Sequence, residues 1–218
     1  MFDALNQGLA QVLYQLSSAL LLPVMAAVAC LFVAVSVAAG GFLREWTERP
    51  RIRRGLRETI RVIVSSQPDA ADVWQLLGDI PRGLPQRFRR GIRNAPNAAT
   101  LRALLSDLEN DTAARLARLN FVTRVGPMLG LLGTLIPFGP ALAGLAIGDV
   151  QELSANLVTA FATTVIGLLC GCLGYGMGLA RRAWYARDFD EIELIVQYLI
   201  ARSSDDATQA AEMGLRGR

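Results

Sequence analysis

Two threonines in long uncharged segments are the side chains of this sequence best suited to chemistry. Thr134 carries the one side-chain hydroxyl between Gly126 and Gly148, and Thr164 lies in a second uncharged segment, Leu153 to Ala180. A hydroxyl donates and accepts hydrogen bonds without carrying charge, so both residues could line a polar path. A threonine in a membrane helix more commonly bonds the i−4 carbonyl of its own helix, and this purely structural role is the alternative for each.

The other polar side chains of these two segments are few. They include Asn156, Thr159 and Thr163, which we predict to support a pore wall, and Tyr175. Neither 125–148 nor 153–180 contains Asp, Glu, His, Lys or Arg. An ion or proton pathway through lipid normally uses an ionisable group. The chain is therefore either not an ion conductor, or it forms a polar wall while a partner provides the carboxylate.

Small residues form a stripe along each of the two segments. Membrane helices associate by close packing, which small residues permit, although each glycine costs about 1 kcal/mol of helix propensity relative to alanine in water. At helical spacing, these stripes predict two helices packed closely on their small faces. In the first segment the stripe is Gly126, Gly130, Gly133 and Pro137, and in the second it is Ala160, Thr164, Gly167, Gly171, Gly174 and Gly178.

Three apolar segments are long enough to cross a membrane. A hydrocarbon core of about 30 Å requires roughly 20 helical residues. The predicted transmembrane helices are 18–43, 125–148 and 153–180, with 1–17 an outside segment and 149–152 a short outside loop. Buried core helices of a soluble protein are the alternative, but three uncharged segments in 218 residues argue against it.

The arginines predict the orientation. All 22 basic residues are arginine, sixteen of them in 44–124 and six in 181–218. Basic residues are in excess on the cytoplasmic side of membrane spans, so both arginine-rich segments are expected in the cytoplasm, with the N-terminus outside and the C-terminus inside. Apolar residues recur at helical spacing in 44–124 and in 181–218, which we predict to form a cytoplasmic helical region and a C-terminal helix with a tail. The predicted fold class is an all-α integral membrane protein.

Several functional classes lack their characteristic residues. A phosphate-binding P-loop requires a lysine, and a dinucleotide fingerprint requires a preceding strand. No nucleophile–base set and no paired carboxylates occur in the spans, and the chain has no histidine, so we predict neither an enzyme nor a metal site. The arginine-rich stretches lack interleaved aromatic residues, so they predict a solvated face with contacts to membrane lipid rather than nucleic-acid binding.

Two motifs carry a resemblance to a known family. "GPMLGLLGTL" (126–135), followed after a short turn by "NLVTAFATTVIGLLCG" (156–171), resembles the MotA/TolQ/ExbB proton channel family. Three spans with a large cytoplasmic loop are also the plan of that family. Where many ExbB and TolQ members carry a glutamate, this chain has Thr159. The first span and the cytoplasmic helices resemble the family in layout only.

The resemblance implies a mechanism. Members of the family assemble as pentamers around a dimer of a single-span partner of the ExbD/TolR/MotB type, in the inner membrane of prokaryotes. The partner's membrane aspartate carries the transported proton or sodium ion, and no cofactor is needed. The pore threonines of the family correspond to Thr134 and Thr164. A passive scaffold or an accessory transporter subunit without ion flux is the alternative function.

Overall fold

The computed structural model describes residues 2–78, 80, 83–91 and 98–216, and every regular element within these ranges is an α-helix. Three of the helices contain apolar windows long enough to cross a membrane, which confirms the predicted all-helical class with three candidate spans. The residues NAPN at 94–97, whose composition predicts a break between helices, lie outside the described residues. The helices are α1 (Phe2–Ser66), α2 (Ala70–Gly78), α3 (Leu84–Gly91), α4 (Ala98–Ala146) and α5 (Val150–Arg216).

The long helices continue well beyond the apolar segments. Helix α1 combines the predicted outside segment, the first apolar segment and the arginine-rich residues that follow, whereas the sequence suggested separate elements. It has no helix stop at the change from apolar to charged residues, and Pro50 removes one backbone donor without ending it. Helix α4 likewise enters the second apolar segment without a break and contains three prolines. Helix α5 continues to Arg216, through most of the predicted tail.

Helices α4 and α5 are joined by a turn of three residues, Ile147 to Asp149. Gly148 adopts a positive φ of 80°, which a residue with a side chain rarely adopts, and its N–H donates to the carbonyl of Leu145. Asp149 then caps α5, because its carboxylate accepts a 2.9 Å hydrogen bond from the backbone N–H of Glu152. The predicted loop 149–152 is therefore shorter, and Glu152 belongs to the first turn of α5.

The chain divides into two compact units. The first consists of Met1–Gly41 and Ala117–Gly178, and it contains all but a few residues of the three apolar segments. Its outer faces expose large apolar side chains, including Leu131, Phe161 and Val165, which are about 60% exposed. Side chains of this kind are stable against lipid or against another protein surface, and not against water.

The second unit consists of Phe42–Leu116 and Leu179–Arg218, and it has its own core. Each of the five helices contributes to that core, as the periodic apolar residues of the sequence indicated. The three long helices α1, α4 and α5 contribute only with the parts that lie outside their apolar segments. Residues with at most 1% exposure form its centre. They are Leu56, Val73, Leu77, Phe88, Leu101, Ile192 and Ile195.

Two ion pairs join α1 to α5 inside the second unit. The Arg49 guanidinium donates to both carboxylate oxygens of Asp188 at 2.6 and 2.7 Å, and to the carbonyl of Trp184 at 2.9 Å. The Arg181 guanidinium donates to Glu45 at 2.9 Å, and Glu45 also accepts from the hydroxyl of Tyr185. Asp188 is only 3% exposed, and burial raises its pKa above the ordinary value although Arg49 opposes the rise.

Arg49→Met is expected to destabilise the protein by about 3 kcal/mol, because it leaves the buried Asp188 carboxylate without its guanidinium. Loss of Arg49 raises the pKa of Asp188 further in the folded state. The carboxyl group therefore favours the folded state less as the pH rises above its unfolded pKa, and the defect is larger at pH 8 than at pH 5. Thermal unfolding of the purified chain in mild detergent measures the effect.

The matched control is Arg51→Met, which removes the same charge from an exposed position of α1. Its effect is expected to remain within about 0.5 kcal/mol. Adding Asp188→Leu to Arg49→Met is expected to restore most of the lost stability, because an apolar pair replaces an unpaired charge. Equal unfolding temperatures for the two single variants would show that the Arg49–Asp188 pair has no net stabilising role.

Candidate functional site: the glycine-packed hairpin

The hairpin formed by the apolar parts of α4 and α5 has nearly touching backbones at its centre. A Cβ built on Gly167 would lie 2.6 Å from the carbonyl oxygen of Gly126 and 2.7 Å from the Cα of Gly130. A Cβ on Gly126 would lie 2.8 Å from the carbonyl oxygen of Gly167. Cβ atoms in proteins essentially never approach other atoms this closely, so three glycines face one another where a side chain would force the backbones apart.

The close contact extends in both directions with different partners. A Cβ on Gly171 would lie 2.9 Å from the ring of Pro127, and one on Gly174 would lie 3.0 Å from Val122. On the other side, Gly133 accommodates the side chain of Thr163, whose hydroxyl would be 2.6 Å from a Cβ on that glycine. The small-residue stripes of the two segments therefore lie against each other.

Gly178 is the exception among the predicted packing glycines. A Cβ there would make an ordinary 3.7 Å contact with Leu119. The α4–α5 distance has grown enough at that level to accept a methyl group. Close packing therefore requires glycine at the middle of the hairpin but not at this end.

Thr164 donates across the hairpin. Its hydroxyl lies 3.1 Å from the carbonyl oxygen of Gly130 on α4 and 3.3 Å from that of Ala160 on its own helix. Gly130 is one of the glycines that let the backbones approach, and a bulkier residue there would move its carbonyl away from Thr164. The glycine packing and the position of this hydroxyl thus depend on each other.

The other predicted site threonines donate hydrogen bonds within their own helices. The hydroxyl of Thr134 donates to the carbonyl of Leu131 at 2.7 Å, and its side chain is half-buried. Thr159 donates to Ala155, and Thr163 donates to Ala160 and to Thr159. Asn156 is half-buried at the start of α5. The structure records no hydrogen bond between Thr134 and Thr164.

Sequence reasoning missed one partner in this hairpin. It singled out Thr134 and Thr164 as the pair that could line a polar path, but the threonine that packs on the α4 glycines with Thr164 is Thr163, which is 6% exposed and lies against Gly133. No pattern within either segment indicated this pairing, because it depends on the relative shift of the two antiparallel helices.

The hairpin is polar in places but carries no charged side chain in its apolar segments. Its apolar segments, 125–148 and 153–180, are free of acidic and basic side chains, so its polar atoms are hydroxyls, amides and backbone carbonyls. Of the two cysteines on α5, Cys170 is buried and Cys172 is exposed. Among the described residues no group of His, Cys, Asp and Glu side chains is arranged to hold a metal ion. The hairpin can offer hydrogen bonds to an ion or acid, but it has no carboxylate of its own to exchange a proton.

Comparison with known proteins agrees with this picture. Residues 79–177 match the model of the MotA/TolQ/ExbB proton channel family, a range that includes α3, α4 and almost all of the apolar part of α5. The resemblance seen in the two sequence motifs is confirmed over this range. No curated protein matches the chain. The match and the three apolar helices together indicate a membrane protein.

Proposed function

We propose that this chain, with its MotA/TolQ/ExbB-type segment at residues 79–177, is the channel subunit of an energy-transducing complex in the inner membrane of a prokaryote. A proton or sodium gradient would drive the complex, and the mechanical work would be done on another protein. The observation that carries the proposal is the Thr164 hydroxyl, held at the centre of a charge-free hairpin by a carbonyl of the opposite helix. All of that hairpin except residues 178–180 lies within the matched segment.

The proposed complex is a homopentamer in which α4 and α5 of every subunit surround a central pore. Exposed apolar side chains on these helices, such as Leu135 and Val158, support contacts with neighbouring subunits and lipid. The pore holds a partner of the ExbD/TolR/MotB type whose single span carries an aspartate. This partner supplies the titratable group that the hairpin lacks. The arginine-rich second unit lies in the cytoplasm and the N-terminus lies outside.

The hydroxyls would serve both protonation states of the partner's acid. A threonine hydroxyl can donate to a carboxylate and can accept from a carboxylic acid. Thr164 now donates to Gly130, and rotation of its hydroxyl hydrogen lets it donate to an acid in the pore while it keeps its place between the helices. Because no fixed charge lies nearby, the carboxylate is poorly stabilised after it releases its proton, which favours taking up the next one.

Purification of the tagged chain from native membranes tests the proposal. The expected result is the co-purification of a single-span protein with an aspartate early in its span. The two proteins are then reconstituted together into liposomes, and a pH gradient is imposed across the membrane. We expect them to dissipate this gradient, and a pH-sensitive dye inside the liposomes measures the change. A parallel experiment uses a sodium gradient and a sodium-sensitive dye. The chain alone and the partner alone are the controls.

The competing function is a passive scaffold. One observation favours it: the hydroxyls of Thr134 and Thr164 both have backbone acceptors, as purely structural threonines do. A scaffold would show no flux in either gradient when combined with its partner, and the partner would have no acidic residue in its span. Either finding would overturn the channel proposal.

A further inference from the structure

An arginine-lined recess opens within the second unit, close in sequence to the ends of two apolar segments. Its volume is about 500 Å³, and its walls include Trp46 and Trp184 together with four arginines of α1. A smaller recess of about 250 Å³ adjoins it and adds Arg187 of α5 with two acidic residues. The arginines of α1 are Arg49, Arg53, Arg54 and Arg57.

The arginines of this recess have two different roles. Arg49 is bound to Asp188 and to the carbonyl of Trp184, so it forms part of the floor and has little capacity to bind a ligand. Arg53, Arg54 and Arg57 are exposed, and among the described residues none of the three is hydrogen-bonded to a carboxylate. Arginines one turn apart repel each other unless an anion lies between them.

The two acidic residues do not neutralise the recess. Five arginines and two carboxylates line the combined surface, which leaves an excess of three positive charges. One carboxylate, Asp188, is already paired with Arg49. The other, Glu191, is near Arg53 and Arg57 without forming an ion pair, and burial raises its pKa although the arginines oppose the rise. Positive charge is therefore available for a ligand from outside the unit.

The aromatic wall and the chain positions indicate where that ligand lies. Phe42, Trp46 and Trp184 form a cluster, with Phe42 and Trp184 stacked at 5.3 Å and Trp46 edge-on to Trp184 at 5.7 Å. Tryptophans concentrate at the membrane–water interface. Ala180, the last residue of the third apolar segment, also lines the recess. The recess thus begins at the chain positions where the lipid-compatible surface ends.

The arginine side chains lean along α1 in the direction of the apolar segment that precedes them in the same helix. Arg53 and Arg54 lie about 10 to 12 Å beyond Trp46 along α1. Side chains on a helix lean toward its N-terminus, and the N-terminal direction of both α1 and α5 leads to an apolar segment. Long basic side chains can therefore reach the headgroup layer, which is about 5 to 8 Å thick on each side of the bilayer.

We propose that this recess binds the phosphate of an anionic lipid headgroup, with Arg53, Arg54 and Arg57 as the phosphate ligands and Trp46 and Trp184 as the wall next to the glycerol and upper acyl chains. Guanidinium groups match phosphate oxygens with two parallel hydrogen bonds. The site goes beyond the channel function and does not depend on it. A bound lipid would fix α1 to α5 at the membrane surface, beside the Arg49–Asp188 pair.

The test is native mass spectrometry of the purified full-length protein, titrated with phosphatidylglycerol or with phosphatidylcholine. The wild type is expected to retain phosphatidylglycerol in preference to phosphatidylcholine. Arg53→Gln/Arg57→Gln is expected to weaken phosphatidylglycerol binding by at least about tenfold. The matched control, Arg51→Gln/Arg61→Gln, removes the same charge from exposed positions of α1 outside the recess and is expected to retain the wild-type affinity.

Three results would overturn the site. Equal loss of lipid in both double variants would show that only net charge attracts it. Inorganic phosphate that displaces the lipid at equal concentration would show a site for soluble anions. A changed oligomeric mass in Arg53→Gln/Arg57→Gln with unchanged lipid binding would show that the arginines contact a second copy of the chain. Because the substituted arginines are exposed, an unchanged thermal unfolding temperature in detergent provides an independent check that the variants are folded.

Discussion

Thr164→Val is expected to reduce partner-dependent ion flux to the level of liposomes that lack the partner. Valine keeps the branched shape of threonine and removes the hydroxyl, so the packing against Gly130 is preserved while the bond to its carbonyl is lost. The cost to stability should be about 1 kcal/mol, the net value of one hydrogen bond. The pore would lose a group able to bond the partner's acid in both protonation states. Flux into liposomes, normalised to the reconstituted complex, measures the effect.

Three variants separate the pore role from a structural one. Thr164→Ser keeps the hydroxyl and should retain flux, and Thr134→Val should lose it as Thr164→Val does. Thr59→Val removes a comparable hydroxyl in the second unit, where Thr59 donates to Gly55, and should leave flux unchanged. If Thr134→Val, Thr164→Val and the double variant all conduct normally with intact assembly, neither threonine lines the ion path.

The candidate spans could be predicted because lipid imposes strong constraints on sequence. A segment such as 153–180 has no charged residue because charge is costly in hydrocarbon, and its glycines recur at helical spacing because backbones approach only where side chains are absent. Both patterns are local and can be read without knowledge of the partner helix. The contact between Gly126 and Gly167 in the structure follows the stripes that the sequence carries.

Features that depend on which residue of another helix lies opposite could not be predicted from the sequence. The alignment of Gly133 with Thr163 depends on the relative shift of two antiparallel helices, which the length of the 147–149 turn sets. The continuity of α1 from apolar to charged residues depends on the absence of a stop signal, which is weak evidence. The Arg49–Asp188 pair joins residues 139 positions apart, and nothing in the local pattern distinguishes Arg49 from the other arginines nearby.

Gly167→Val is expected to prevent formation of the α4–α5 hairpin, and its loss of stability should exceed that of Arg49→Met. A Cβ at Gly167 would already overlap the backbone of Gly126 and Gly130, and backbone atoms of a helix cannot move aside as a flexible side chain can. Valine adds two further methyl groups, so the helices must separate along the whole contact, and the cost should exceed about 3 kcal/mol. The same separation moves the carbonyl of Gly130 away from Thr164. The yield of monodisperse protein and its unfolding by dodecyl sulfate in detergent measure the loss.

Graded substitutions on the same helix show whether the close approach is the cause. Gly176→Val is the matched control, because a Cβ there has no neighbour within 4 Å, and Gly178→Ala is expected to be neutral or slightly stabilising since its Cβ meets Leu119 at 3.7 Å. The stability of Gly167→Ala should lie between that of these two variants and that of Gly167→Val. Alanine improves helix propensity by about 1 kcal/mol at each site. A loss of stability on Gly167→Ala but not on Gly178→Ala must therefore come from the contact with α4. Comparable stability of Gly167→Val and Gly176→Val would mean that α4 and α5 do not meet through these glycines in the folded protein.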